Sequence, residues 1–331
     1  MDVIERPVLD GARKSSGAFD GYVRSGTTVE LKAFTGTTGD SGGFAVPREI
    51  DAAIGSVLRN VSPIRGIANV VTVGSAGYRK LVTTGGTPSG WASETAARPE
   101  TATPSFVELA PPMGELYANP SASQAMLDDA AFDVEGWLAS EIATEFARAE
   151  GQAFVSGSGI NRPKGFLTNA ISTAKDGVRP FGTLQYLATG ATGAFGGKAD
   201  ERLVDLVQSL RAPYRQGACF VMNAATSASI RKLKTTDGQF IWAPGLTAGQ
   251  PATLLGYPVI EAEDMPDIAD NACAIAFGNF QAGYLITERA ETAILRDPYS
   301  NKPFVTFYAT RRVGGCVSDS EAIKLMKFAT A

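Results

Sequence analysis

A chain of 331 residues, 44% hydrophobic and 19% charged, has room for two packed units or for one core with long appendages, and its composition is that of a soluble globular protein. Thirty basic against 34 acidic side chains give a net charge of -4 and a pI near 5.2, which excludes a chain that coats nucleic acid through its overall charge but allows a local basic patch. The complete lack of histidine excludes a Ser-His-Asp triad, a Cys-His pair, an HExxH zinc site and any imidazole proton shuttle.

In chain order, Met1 to Thr38 mixes Gly, Ser, Thr and charge with little periodicity, and only Phe19, Tyr22, Val23, Leu31 and Phe34 offer anchors, so it reads as an extended arm. After Pro47, the spacing of Ile50, Ile54, Val57 and Leu58 predicts a short helix. The stretch Ile67 to Phe106 holds a β-like run, ANVVTV, and a second from Tyr78 to Thr83. The rest is too rich in Gly, Pro and Thr to hold a core, so it predicts a long loop or protruding hairpin. A strand is predicted over Val107 to Asn119. The recurrence of Val134, Leu138, Ile142, Phe146, Ala149 and Ala153 every three or four residues then predicts the longest helix.

Beyond the Gly/Pro loop SGSGINRPKGF, Leu203, Leu206, Val207, Leu210 and Tyr214 predict one helix over Asp200 to Gln216. Ala218 to Met222 reads as a buried strand and Ala224 to Lys234 as a short helix. Short strands follow at LLGYPVIEA, CAIAFGNF, GYLITER, TAILRD and KPFVTFYATRRVGGCV, and a last one over Ala322 to Phe328. Helices in the middle with strands distributed around them predict an α+β fold.

Candidate chemistry is thin. Gly39-Asp40-Ser41-Gly42-Gly43 matches the string around a trypsin-like serine, but no histidine exists to activate it. Lys198 in GAFGGK fails as a phosphate loop, because Thr192 stands where the first glycine belongs and Ala199 where the magnesium-holding hydroxyl belongs. Gly157-Ser158-Gly159 lacks the third glycine of a dinucleotide loop, with Arg162 in its place. The acids Asp128-Asp129 and Glu261, Glu263 and Asp264 read as a helix start and a solvated loop. Trp91, Trp137 and Trp242 are scattered. Cys219, Cys273 and Cys316 are too far apart for a CxxC pair and suit a reducing compartment. The N-terminus MDVIERPVLD has no signal-like apolar core, and no apolar run is of spanning length, which predicts a soluble protein of cytoplasmic origin. Neither a catalytic residue nor a cofactor or metal ligand is predicted.

One ordered set of landmarks remains. Gly42-Gly43-Phe44-Ala45-Val46-Pro47 closes the arm; Ile50, Ser62-Pro63-Ile64-Arg65, Trp91-Ala92-Ser93-Glu94 and Pro104-Ser105-Phe106 follow. Then come Ser123 to Asp129 opening the long helix, Glu150-Gly151-Gln152-Ala153-Phe154 near its end, Gly157-Ser158-Gly159, Arg162-Pro163-Lys164-Gly165, and Arg311-Arg312-Val313-Gly314-Gly315 leading to Ala322. From about Phe19 to Lys327 this series resembles the tailed-phage major capsid protein family.

The resemblance implies an N-terminal arm over 1–41 and a peripheral domain over 42–180, with an extended loop at 77–106 and a spine helix at 131–155. An axial domain over 181–311 and a C-terminal return segment over 312–331 complete it. It implies a structural role without enzymatic activity: self-assembly into hexamers and pentamers of an icosahedral shell around double-stranded DNA, made in the host cytoplasm and located in the virion. Portal, scaffold and decoration proteins would be partners, and no membrane would be. The alternatives are the shell of a bacterial protein-cargo nanocompartment, a gene-transfer particle, and a soluble hydrolase using carboxylates or Ser-Lys chemistry.

Trp91, Glu94, Arg98 and Glu100 are the implied intersubunit contacts, and Arg59, Arg65, Arg231, Lys232 and Lys234 the candidates for non-specific DNA contact. Two departures from the family pattern carry expectations of their own. Only Met1 to about Ser16 precedes the arm where many members carry a scaffolding segment, which implies a processed form or a separate scaffold. Thr95 occupies the place where cross-linking members have a lysine, which implies a shell without isopeptide bonds.

Overall fold

In the computed structural model, residues 62–233 and 253–330 are described, apart from short stretches within 75–104 and residues 130–133. The expected arm and the helix after Pro47 lie outside the described residues, as do Arg59, Lys234 and Trp242. A short helix that the spacing did not predict, α1 (Pro63–Ile67), opens the described chain with proline in its first turn, where the missing N–H costs no bond. It leads into β1 (Asn69–Thr72). The expected hairpin is β2 (Lys80–Thr84) paired antiparallel with β3 (Ser105–Leu109).

The single strand expected over 107–119 is instead two, β3 and β4 (Met113–Ala118), separated by Pro111-Pro112, which have no N–H to continue a ladder. A three-residue strand, β5 (Ser121–Ser123), precedes α2 (Gln124–Asp129). Residues 122–136 belong by contact to a unit apart from the rest of the described chain. Within it the Ser123 hydroxyl accepts the Met126 N–H at 3.2 Å, so Ser123 to Asp129 forms a capped helix of its own. The long helix α3 (Val134–Ser156) runs where expected.

Beyond α3 lie two short strands that carried no periodic signal, β6 (Ile171–Ser172) and β7 (Leu184–Ala188). The helix expected over 200–216 is broken into α4 (Ala199–Ser209) and α5 (Ala212–Arg215). The break falls at Leu210 and Arg211, both extended, because Pro213 sits in the first turn of the second helix and cannot continue the first. Then come β8 (Cys219–Met222) and α6 (Ala224–Arg231), whose start is capped by Asn223 accepting from the Thr226 N–H at 2.8 Å. A tight hairpin, β9 (Thr253–Leu254) and β10 (Tyr257–Glu261), turns at Leu255-Gly256, both at positive φ, as a two-residue hairpin of this twist requires.

The chain finishes with β11 (Ile275–Gly278), α7 (Phe280–Gly283), β12 (Tyr284–Asp297), β13 (Phe304–Val317) and β14 (Ile323–Lys327). The two strands expected at 283–289 and 292–297 are one strand, with a register shift between Arg289 and Ala293.

These strands form two main sheets. The seven-stranded sheet runs β6-β7-β14-β11-β8-β10-β9. Because side chains alternate across a sheet, Phe220, Met222, Ile275, Phe277 and Met326 point to one face, where Leu203, Leu206, Val207 and Leu210 cover them. Cys219, Val221, Ala276, Ile323 and Leu325 point to the other and join Phe154, Phe166, Phe280, Tyr284 and Ile286 in a second cluster. The other large sheet contains the path β1-β12-β13-β4. On one of its faces Ile142 and Phe146 of α3 pack over Ala309, Leu116 and Ala118.

Two landmark glycines are explained by close approach. A Cβ on Gly165 would lie 2.4 Å from the Val155 carbonyl oxygen at the end of α3, and one on Gly315 would lie 2.8 Å from the Tyr284 hydroxyl. That hydroxyl donates to the Lys164 carbonyl at 3.0 Å, so β12, β13 and the loop after α3 are drawn onto one point. The boundary expected at residue 311 falls inside β13.

Candidate functional site

The β2–β3 ribbon pairs Leu81 with Glu108 and Thr83 with Phe106, which places these four side chains on one face. Leu81 is 69% exposed and Phe106 64%, and they are diagonal neighbours across the two strands. Beside them Arg79 reaches Glu108 at 2.6 Å. In the loop between the strands Trp91 is fully exposed, as are, to lesser degrees, Glu94, Thr95, Arg98 and Glu100. All four expected contact residues are thus on the surface of one segment. A two-stranded ribbon has little stability alone, and the largest apolar side chains of this one are held in water.

The basic candidates are placed differently. Lys232 is exposed just beyond α6, and Arg231 lies 3.7 Å from Glu261. Arg65 is spent on carboxylates: its guanidinium pairs with Glu150 at 3.2 Å and, closer still, with Glu288. Arg311 completes a four-charge cluster, 2.8 Å from Glu150 and 3.1 Å from Glu288. Four elements, α1, α3, β12 and β13, are thereby tied together. Burial pushes the Glu150 carboxyl up from its ordinary pKa and the like charge of Glu288 adds to this, while Arg311 and Arg65 oppose both. For Glu288 burial also acts upward, but the bonds and charges of Arg65 and Arg311 win and hold it below the ordinary value.

A signal for this cluster existed in the sequence. Glu150 follows Ile142 and Phe146 at four-residue steps, so it sits on the apolar stripe of α3, where a carboxylate requires cationic partners. A second cluster surrounds Lys324, which is wholly buried within β14 and donates to Gln185 at 2.9 Å and to Asp176. Asp176 also takes Arg179 at 2.5 Å and Arg211 at 3.5 Å. A lysine inside a run as apolar as Ala322 to Phe328 was the readable sign.

Of the acids expected in a solvated loop, Glu261 and Glu263 are exposed, but Asp264 is half-buried against Ser62 and Gly151, and burial pushes its pKa up. The first cluster balances two guanidinium groups against two carboxylates, and in the second Asp176 gathers three cations; each ties elements together. Among the described residues no group of three or more His, Cys, Asp or Glu could hold a metal ion, and no helix is long and apolar enough to cross a membrane. The three cysteines are free, with burial pushing the Cys219 and Cys316 thiols up to about 12.

A family model described as "Phage capsid family" matches residues 42–328. Among solved structures, the "Capsid of native GTA particle" is 54% identical, with a TM-score of 0.78, covering 83% of this chain and 92% of that one. The capsid of the empty GTA particle is 53% identical with a TM-score of 0.77 over the same shares. A structure from Microbacterium phage Oxtober96 shares the fold at 12% identity and a TM-score of 0.60, covering 82% of this chain and 92% of that one. One from Mycobacterium phage Adephagia does so at 12% and 0.58, covering 86% and 98%. No curated protein matches the sequence.

Proposed function

We propose, from the premise that this chain belongs to the phage capsid family and is a capsid shell protein, that its copies assemble as hexamers and pentamers into a closed icosahedral shell around double-stranded DNA. The observation that carries the assembly reading is the exposed apolar ribbon. Leu81, Phe106 and Trp91 are stabilised only when another surface covers them, and a repeated contact between unlike patches of identical subunits generates rings where its rotation closes. Glu94, Arg98 and Glu100 would form the polar rim of that contact, each exposed ion pair contributing about 0–1 kcal/mol.

A gene-transfer particle is favoured over a phage virion by the 54% identity to a GTA capsid, against 12% to the phage structures named above. DNA is held by enclosure, since the net charge is -4 and Arg65 is already occupied by carboxylates; Lys232 remains an exposed candidate for a non-specific contact. Portal, scaffold and decoration proteins are partners by the same family argument, and the shell is assembled in the cytoplasm.

Purified particles should show closed shells in electron micrographs, and their nuclease-protected DNA should be sequenced. Fragments drawn from across a host genome support the gene-transfer reading, and one repeated phage genome supports the virion. Protein cargo in place of DNA, or a chain that elutes as a monomer at every concentration, would overturn the proposal. In boiling detergent the shell should resolve to one band near 34.6 kDa, because Thr95 cannot form an isopeptide bond.

A further inference from the structure

Three parts of the chain meet in the second cluster beside the seven-stranded sheet: Ile64 of α1, Phe154 of α3, and Met265 in the loop that follows β10, all buried. Two backbone bonds fix that loop, from the Ala262 N–H to the Met222 carbonyl at 2.8 Å and from the Met265 N–H to the Ala262 carbonyl at 3.1 Å. Asp264, between these anchors, is thereby carried against α3.

Its carboxylate is poorly provided for. Oδ2 of Asp264 is buried and has no hydrogen-bond partner among the described residues, and the same holds for the hydroxyl of Ser62, which precedes α1 without capping it. Ser62 is 6% exposed. Both groups lie against Gly151 of α3, where a Cβ would stand 2.6 Å from Asp264 Oδ2 and 3.2 Å from Ser62 Oγ. Two buried oxygens left over by every other bond of the junction thus share one spot, kept clear by a glycine.

The surrounding charges do not compensate this carboxylate. Arg148 of α3 attracts it but gives its Nε to Glu145 at 2.9 Å, and Glu263 beside it repels. Glu150, next to Gly151, is turned to Arg65 and Arg311, while Asp267 takes the Asn223 amide at 2.7 Å. A carboxylate buried without donors favours its neutral form, and burial is the leading cause that pushes Asp264 up from its ordinary value of 3.8. A proton resolves both defects together: the charge goes, and the new O–H has the Ser62 oxygen to donate to.

We propose that Asp264 and Ser62 form an acid-closed latch, which fastens the loop after β10 to α1 and α3 when Asp264 is protonated and releases it when Asp264 is ionised. The latch acts within one subunit, whatever that subunit assembles into. Because the folded value is raised, the folded state binds the proton more tightly than the unfolded chain does. Stability is therefore gained as the pH falls through the folded value, and no more is gained below 3.8.

The test is hydrogen–deuterium exchange on the full chain, read in peptides spanning 262–267 and 148–156 after correction for the intrinsic effect of pH. In the parent chain, protection should rise about fivefold between about pH 7.5 and about pH 4.5. Asp264→Asn should be equally protected at both, near the parent's acid level, because its carboxamide is uncharged and still donates to Ser62. Ser62→Ala should lose most of the pH response without weakening α1, whose N–H groups the hydroxyl does not cap.

A parent chain whose protection does not change with pH overturns the latch. So does an Asp264→Asn variant that keeps the parent's response, which would assign the titration to the cluster of Arg65, Glu150, Glu288 and Arg311. An undiminished response in Ser62→Ala overturns the pairing with Ser62. The two variants are read separately, so misfolding of one leaves the other to decide.

Discussion

In the seven-stranded sheet, β8 and β11 bury every one of their residues, and the large side chains Phe220, Phe277 and Tyr257 stack within 4.5 to 5.1 Å. In the ribbon the largest apolar side chains, Leu81 and Phe106, keep about two thirds of their surface in water. Both regions are β-structure with apolar residues on a defined face. They differ in where the matching surface comes from: the sheet finds it in α4 and in the second cluster of its own chain, whereas the ribbon has none among the described residues. A side chain's contribution therefore has to be read in two assays, one for folding of the subunit and one for assembly, and the two regions should separate cleanly between them.

The strongest test of the folding side is Phe277→Ala. Phe277 is fully buried, so its removal should cost about 3–5 kcal/mol and lower the subunit melting temperature sharply. A loss below about 1 kcal/mol would mean that the two clusters do not hold the sheet. Next in size is Asp176→Asn, which leaves the buried Lys324 and Arg179 without their shared carboxylate. Breaking a buried pair of this kind should cost about 3 kcal/mol in denaturant unfolding, without any specific effect on particle shape.

Trp91→Ala reverses the pattern. Subunit stability should stay within about 0.5 kcal/mol, as for other exposed sites, while assembly weakens by about 2 kcal/mol per contact, seen as a higher critical concentration for particles. Loss of subunit stability on this substitution would erase the contrast.

The smallest effect is a pH dependence in the four-charge cluster. Glu288 is held below its ordinary value of 4.5, so its contribution is fully present above that pH and is lost as the pH falls through the folded value. Glu150 is raised, so the folded state takes up its proton first and this residue acts in the opposite sense, gaining relative stability on acidification. Glu288→Gln should therefore be less stable at neutral pH, and should lose less stability than the parent chain between about pH 6 and pH 3. Because the like charge of Glu288 helps to raise Glu150, the substitution should also lower the Glu150 pKa, which carbon-detected NMR would register.

The sequence made some of this architecture readable and hid other parts for physical reasons. The helix α3 was legible because Val134, Leu138, Ile142 and Phe146 repeat at its period over many turns. The breaks at Pro111-Pro112 and at Pro213 were each marked by proline, but the apolar spacing on both sides suggested continuity. The strands β6 and β7 are short and carry no clean alternation, so only their neighbours in the sheet define them. Trp91 and the loop acids were legible as a group because the whole stretch lacks a core. Arg65 was not: its partners Glu150 and Glu288 are 85 and 223 residues away, and no local pattern announces such a pairing.

The position of β14 bears on how a copy of this chain comes into being. This late strand lies inside the seven-stranded sheet, parallel to β7 on one side and antiparallel to β11 on the other. While the chain is still on the ribosome, β7 and β11 each present an unpaired edge, and nothing nearer in sequence can fill the gap between them. Residues 323–327 are thus a closing stitch, made after all of the sheet's other strands. A copy that lacks residues 323–327 would leave β7 and β11 each with an unpaired edge, the kind of edge that invites pairing with another chain.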